Sequence, residues 1–250
     1  MKLAYLLLSL SSFAPIASSQ GSLAGANPQG LHDLFGQVLT AADQPGIGNE
    51  LFGATASGAA LLSDINTGSG DGFHDGDPEV GAAIPLRGAI MGGNFYFLSY
   101  LVNGNIGLGR SGGASATTSI VKQFPTFGGG SIQYGYDFEG IGLADRLVFA
   151  ALQGPSTWGL WGTDGTAAGT SLLATTPFQA RQFARLGNAA LFVDLGVQRR
   201  IMRTDGTAQG TGAVFTFPSG SVIDYQQPLQ VMGDHAYFFA DDVVGGMELW

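Results

Sequence analysis

The chain has 250 residues, of which 45% are hydrophobic, 12% charged, 41 glycine and none cysteine. The lack of cysteine excludes disulfides and thiolate metal sites. A net charge of −9 with only ten Lys and Arg lacks the basic footprint of a nucleic-acid binder, and an acidic surface is repelled by anionic membranes.

In chain order, residues 1–19 read as an export signal. Lys2 supplies a positive start, Leu3 to Ile16 is largely apolar, and Ala17-Ser18-Ser19 offers small residues ahead of Gln20. The apolar stretch is shorter than the roughly 20 residues that span a bilayer. Residues 20–36 read as a linker or short cap. Leu31, Leu34, Phe35, Val38 and Leu39 have helical spacing, so a short helix or turn over Leu31 to Phe35 stands beside a strand at Val38-Leu39-Thr40.

From residue 37 to 250 the chain is expected to be one β-repeat domain. The clearest unit runs Gly159-Leu160-Trp161-Gly162-Thr163-Asp164-Gly165-Thr166 to Thr170, with a second from Arg200 through Asp205, Gly206 and Thr207 to Thr211. Fainter copies start at Glu50 and Gly107, and Glu248-Leu249-Trp250 opens another, giving spacings of 57, 52, 41 and 48 residues. An aromatic strand precedes each start by about a dozen residues, as at Phe95-Tyr96-Phe97 and Leu191-Phe192-Val193. Asp-Gly between apolar runs predicts a hairpin, because glycine accepts positive φ. Asp164, Gly165, Thr166, Asp205, Gly206 and Thr207 are therefore hairpin residues. Thr166, Thr170, Thr207 and Thr211 suit flanking strand positions. Consecutive apolar residues in short strands fit sheets buried on both faces. The expected fold is all-β, a β-propeller-like array of four to five blade-type repeats, read as an incomplete ring.

This pattern resembles the ELWxxDGT repeat family of bacterial exported proteins. The resemblance is specific at Leu160 to Thr170 and Arg203 to Thr207, and weaker in the first two units. It implies a tandem propeller-like scaffold in secreted or surface proteins and no particular activity.

Few residues suggest chemistry. Asp71, Asp75, Asp77 and Glu79 crowd one Gly-rich loop and offer hard oxygens to Ca²⁺, set against a solvated inter-strand loop; Asp71 is expected to matter only through calcium. Asp43 and Asp241-Asp242 follow aromatic strands and suit turns. His32, His74 and His235 lack zinc-ligand spacing. Trp161 and Trp250 share a repeat position and suit the core, which leaves Trp158 as the candidate for stacking on a sugar. Arg199-Arg200 could clamp an anion or form a solvated pair. No nucleophile elbow or phosphate loop appears.

The expected function is a non-catalytic binding or surface-architecture scaffold, secreted or on the cell surface, whose partner is a protein or glycan. The alternatives are an extracellular polysaccharide-active enzyme using acids at the propeller mouth, and a spacer in a longer array. Ending on Glu248-Leu249-Trp250, the chain is expected to continue into a further hairpin, with closure by Gly21 to Leu34 as the competing idea.

Overall fold

The computed structural model describes residues 29–73, 86–124, 138–154, 157–176, 179–196, 198–224 and 227–250. They form a succession of antiparallel sheets, and in the four four-stranded ones each strand pairs with the next in sequence. The first sheet holds β1 (Gln29–Leu34), β2 (Gln37–Gln44), β3 (Gly48–Thr55) and β4 (Gly58–Ser63). The second holds β5 (Gly88–Met91), β6 (Asn94–Tyr100), β7 (Ile106–Ser111) and β8 (Ser119–Phe124). The third holds β9 (Gly140–Gly142), β10 (Leu147–Gly154), β11 (Thr157–Thr163) and β12 (Ser171–Thr176). The fourth holds β13 (Arg181–Leu186), β14 (Ala189–Asp194), β15 (Arg200–Thr204) and β16 (Gly212–Thr216). A fifth unit is broken into shorter strands: β17 (Val222–Ile223), β18 (Gln230–Met232), β19 (His235–Tyr237), β20 (Phe239–Asp241) and β21 (Met247–Leu249).

Strand periodicity explains why the sheets stack. In β6, Phe95 and Phe97 face the first sheet and join Leu39 and Leu51 in one core. Tyr96 and Leu98 face the other way and meet Phe149 and Leu147 of the third sheet. Val148 and Ala150 then face Phe192 of the fourth, while Leu191 and Val193 face Phe217 and Ala240. Four apolar layers thus separate five units, and the second strand of each four-stranded sheet is buried on both faces, β14 along its whole length. Full burial of one such Phe or Leu contributes about 2 kcal/mol.

Each unit also repeats in detail. The residue after the motif's opening position is Leu51, Leu108, Leu160 or Ile201, and all four are buried. A register shift follows at each of these residues, between 51 and 52, 108 and 109, 160 and 161, and 201 and 202. This shift falls at the same place in all four four-stranded sheets and turns their last strands alike. Trp161 donates its indole N–H to the Ala151 carbonyl (3.3 Å) and meets Phe124 of the preceding sheet edge-on at 4.9 Å. Trp250 donates to Ala240 (3.2 Å) and meets Phe217 at 5.4 Å in the same way.

Two expectations change. Gln29–Leu34 is a strand paired with β2, so the first sheet begins inside the stretch read as linker or cap, and no helix forms there. The apparent helical spacing comes from two strands joined by a Phe35-Gly36 turn, whose φ values of 53° and 87° suit a tight hairpin. The same strand is occupied in the first sheet; among the described residues no strand pairs the first sheet with the fifth unit. The expected signal at residues 1–19 lies outside the described residues. No helix among the described residues is long and apolar enough to cross a membrane.

Candidate functional site

The first strand of each unit ends at a hairpin, and those hairpins fix a common numbering. Leu34 pairs with Gln37, Met91 with Asn94, Leu186 with Ala189, and Met232 with His235, each across two residues. In the third sheet, Leu143 N–H donates to the Arg146 carbonyl (2.7 Å) across a matching gap. Four residues before these points stand Gly30, Arg87, Glu139, Gln182 and Pro228. The residues that begin the first strands thus include a cation, an anion, an amide and an imino acid, whereas the motif positions hold Leu or Ile; register shifts in β1 and β13 offset their strand positions.

The first strands of neighbouring units touch one another, β5 against β9, β9 against β13 and β13 against β18. These first strands, each in contact with those of the neighbouring units, are the inner strands of the stack. Where these strands begin lies a cavity of about 390 Å³, and Arg87, Glu139, Gln182 and Pro228 all line it. Their neighbours Arg181, Phe138 and Phe183 complete the wall with His32 of β1. Gly88 and Gly140 fill the gaps. A Cβ at Gly88 would lie 2.3 Å from the Tyr96 carbonyl oxygen, so only glycine lets the strands come this close.

Hydrogen bonds set the wall. The His32 ring meets the Leu86 carbonyl oxygen at 2.6 Å through Nε2; since a carbonyl only accepts, Nε2 carries the proton. Arg181 Nη2 donates to Gln179 Oε1 (3.1 Å). Gln182 Nε2 donates to the carbonyls of Asp224 (3.0 Å) and Gln227 (2.7 Å), tying the fourth sheet to the fifth unit. Gln182 holds φ at 55°, a left-handed conformation that costs a non-glycine residue about 1 kcal/mol. Its Oε1 is buried with no hydrogen-bond partner. Among the described residues of the wall the charged side chains are Arg87, Arg181 and Glu139.

The residues singled out from sequence lie elsewhere. Asp164 Oδ1 accepts from the Thr166 backbone N–H (2.9 Å) and hydroxyl (2.7 Å), and Asp205 repeats this with Thr207 (2.9 and 2.7 Å). The Thr166 hydroxyl, then its backbone N–H, hold the Asp164 carboxyl below its usual range; Thr207 does the same for Asp205. Gly165 and Gly206 take φ of 92° and 88°, as hairpin glycines should. The hairpins are wider than a two-residue turn, and Thr166, Thr170, Thr207 and Thr211 sit within the loops, not in strands. Their hydroxyls are used: Thr163 and Thr170 meet at 2.7 Å, as do Thr204 and Thr211. Ser111 and Thr118 copy the clasp at 2.8 Å, although Gly112 stands where the Asp would be. Each loop docks on the preceding sheet, Gly165 under Tyr96 and Arg110, Gly206 under Arg146.

Asp241 and Asp242 hold a turn, accepting from Val243 N–H (2.7 Å) and from Val244 and Gly245 N–H (2.9 and 3.0 Å). Asp43 is exposed at the end of β2, next to the 44–47 turn. Trp158 is half-buried against the core between the third and fourth sheets, away from the cavity. Arg200 is ion-paired with the buried Asp194, and Arg199 Nη1 donates to the Leu195 carbonyl (2.8 Å), so both serve their own sheet. His235 lies beside Asp234 on the surface. His74, Asp75, Asp77 and Glu79 lie outside the described residues. Among the described residues no group of three acids or histidines is placed to hold a metal. Asp71 serves the local structure, since its Oδ1 accepts from Asn49 N–H (2.8 Å), which corrects the idea that it matters only through calcium.

Glu50 went unnoticed in the sequence beyond opening a motif. It is wholly buried and accepts from the backbone N–H of Ile65 (2.8 Å) and Asn66 (3.2 Å). Burial outweighs these bonds and pushes its pKa from 4.5 to about 7. Asn66 Nδ2 donates to the Asp71 carbonyl (2.9 Å), so one small knot fastens the 64–73 loop to β3.

The fold and cavity together define an all-β protein of stacked meander sheets with a polar opening where the inner strands meet. No family model matches the chain, and no curated protein matches it. Among solved structures it is similar to the computationally designed Ika8 protein, at 11% identity and a TM-score of 0.46, over 89% of this chain and 61% of that one. TolB from Acinetobacter baumannii is matched at 11% identity and a TM-score of 0.42, over 86% of this chain and 51% of that one. An oligogalacturonate lyase in complex with manganese is matched at 10% identity and 0.39, over 86% and 73%. The chain thus spans about half to two thirds of the first two, and no function is carried over from any of them.

Proposed function

We propose that this chain is an exported, propeller-type binding module of the ELWxxDGT repeat kind, and that its ligand enters the cavity where the inner strands begin. One observation carries this reading. The residues that begin the first strands, Arg87, Glu139, Gln182 and Pro228, differ from unit to unit and all line that cavity, while the buried motif positions keep Leu or Ile. Scaffold positions of a repeat are held alike by packing; positions that meet a ligand are free to diverge. A cavity of about 390 Å³ also falls within the range of small-ligand sites. Export is supported by the composition of residues 1–19.

Binding is better supported than polysaccharide hydrolysis. A glycosidase pair needs two carboxyl groups flanking the bond, and Glu139 is the one acid among the described residues of the wall. A pure spacer would have no use for a wall of Arg, Glu, Gln and His.

The test is a thermal-shift screen of soluble saccharides, organic acids and short peptides against the wild-type chain and an Arg87→Ala/Gln182→Ala variant. A ligand that raises the melting temperature of the wild type and leaves the variant unmoved is expected. A panel without any shift, or a shift equal in both proteins, would overturn the reading.

A further inference from the structure

We propose that the outer face of the fifth unit is a docking surface for a second copy of this chain, the two faces packing together about a two-fold axis. One cross-strand pair recurs in every unit. Ala41 pairs with Leu51, Leu98 with Leu108, Ala150 with Leu160 and Val193 with Ile201. Each pair sits in the apolar layer between its own unit and the next, and none of these residues is more than 9% exposed. The fifth unit repeats the pair as Phe239 with Leu249, at 39% and 61% exposure.

Strand alternation identifies the rest of that face. Ile223, Ala240, Val231 and Ala236 point towards the fourth sheet. Their neighbours Val222, Met232 and Tyr237 therefore point outwards, and so does Met247, two residues before Leu249. Val222, Met232, Phe239, Met247 and Leu249 are all exposed. The chain covers the same kind of surface on each of its other units, and an apolar patch of this size marks an interaction site.

The other end of the stack narrows the choice of occupant. On the first sheet, Leu39, Ala41 and Leu51 face the second sheet. On the opposite face Thr40, Ala42, Glu50 and Phe52 are all buried. A second copy thus finds no open face there and cannot stack head to tail as one sheet follows another. The outer face of the fifth unit has to meet its own kind, which gives a closed two-fold pair. Its composition suits that. Met232 and Met247 are unbranched and adaptable, so they fill the gaps that two like surfaces leave. Met, Tyr and Phe are also favoured in the middle of interfaces. The net charge of −9 on each copy opposes pairing, and salt screens it, so this dimer should tighten as salt rises.

Sedimentation velocity of the full chain between about 1 and 100 µM decides it. A monomer–dimer equilibrium that tightens with added salt is expected. Met232→Asp/Leu249→Asp alters two exposed positions of the face. It should raise the dissociation constant about ten-fold or more, with the melting temperature of the dilute protein unchanged. Val244→Asp, exposed in the adjoining turn, should leave the dimer intact. The chain has no cysteine of its own, so a flexible bifunctional maleimide should join Leu249→Cys into dimers and nothing larger. A chain monomeric throughout the range overturns the proposal, whether the face stays bare or residues following in a longer polypeptide cover it. An open series of oligomers overturns the two-fold arrangement. A dimer that ignores the double variant, or that loosens with salt, places the contact elsewhere and overturns it too. The cavity reading stands or falls separately, since none of its wall is used here.

Discussion

Replacing Glu50 with Gln should flatten one component of the pH dependence of folding. Its carboxyl is buried in the folded chain with a pKa of about 7, against 4.5 for the free group. Between those values the folded state holds a proton that the unfolded chain has released. The resulting stabilisation is complete below pH 4.5, is lost as pH rises towards 7, and is gone above it. At about 1.4 kcal/mol per pH unit the loss amounts to about 3 kcal/mol. Glu50→Gln cannot titrate. It also turns one acceptor towards the Ile65 or Asn66 N–H into a donor, at a cost of about 1–3 kcal/mol that does not depend on pH. The variant should therefore be the weaker protein at pH 5 and should gain on the wild type by about 3 kcal/mol at pH 8. Urea unfolding of both proteins at several pH values measures the difference, and all other titrating groups cancel in it. Two parallel curves would refute the buried, uncompensated carboxyl.

Gly165→Val and Gly206→Val should each destabilise by about 1 kcal/mol or more, through forced positive φ. Gly165 should suffer more, because its Cβ would meet the hydroxyl of the buried Tyr96 at 2.3 Å, whereas Gly206 would meet the flexible Arg146 chain at 2.9 Å; melting curves rank the two. Asp71→Ala should cost about 1 kcal/mol by stranding the buried Asn49 N–H, equally with and without a chelator, and a loss seen only without chelator would restore the calcium reading. N-terminal sequencing of the exported protein should begin near Gln20, and a retained Met1 would reject the signal.

What was legible in the sequence is what is both local and repeated. Asp164-Gly165-Thr166 and Asp205-Gly206-Thr207 announce hairpins because positive φ and an Asp side-chain bond are set within three residues. The aromatic strands announce themselves because both faces of β6, β10 and β14 are buried. The wall of the cavity is neither local nor constant. Its first strands are short and rich in glycine, as in Gly140-Ile141-Gly142, and read as loops until a partner strand pairs with them. Arg87, Glu139, Gln182 and Pro228 share no chemistry, so no motif search joins them; counting back from the hairpins does. Reading residues 20–36 as a linker hid β1 and, with it, the place of His32. Trp158 and Arg199-Arg200 drew attention by residue type, yet packing and the buried Asp194 explain them.

The place where a ligand sits is the central claim. Hydrogen exchange of the full chain, with and without a saturating ligand taken from the thermal-shift panel, follows each segment of backbone separately. Protection is expected at residues 86–88, 138–140 and 181–183, where the inner strands begin, with the 164–170 and 205–211 loops unchanged. Protection confined to those loops, or spread evenly over the sheets, would contradict a site at the convergence of the inner strands.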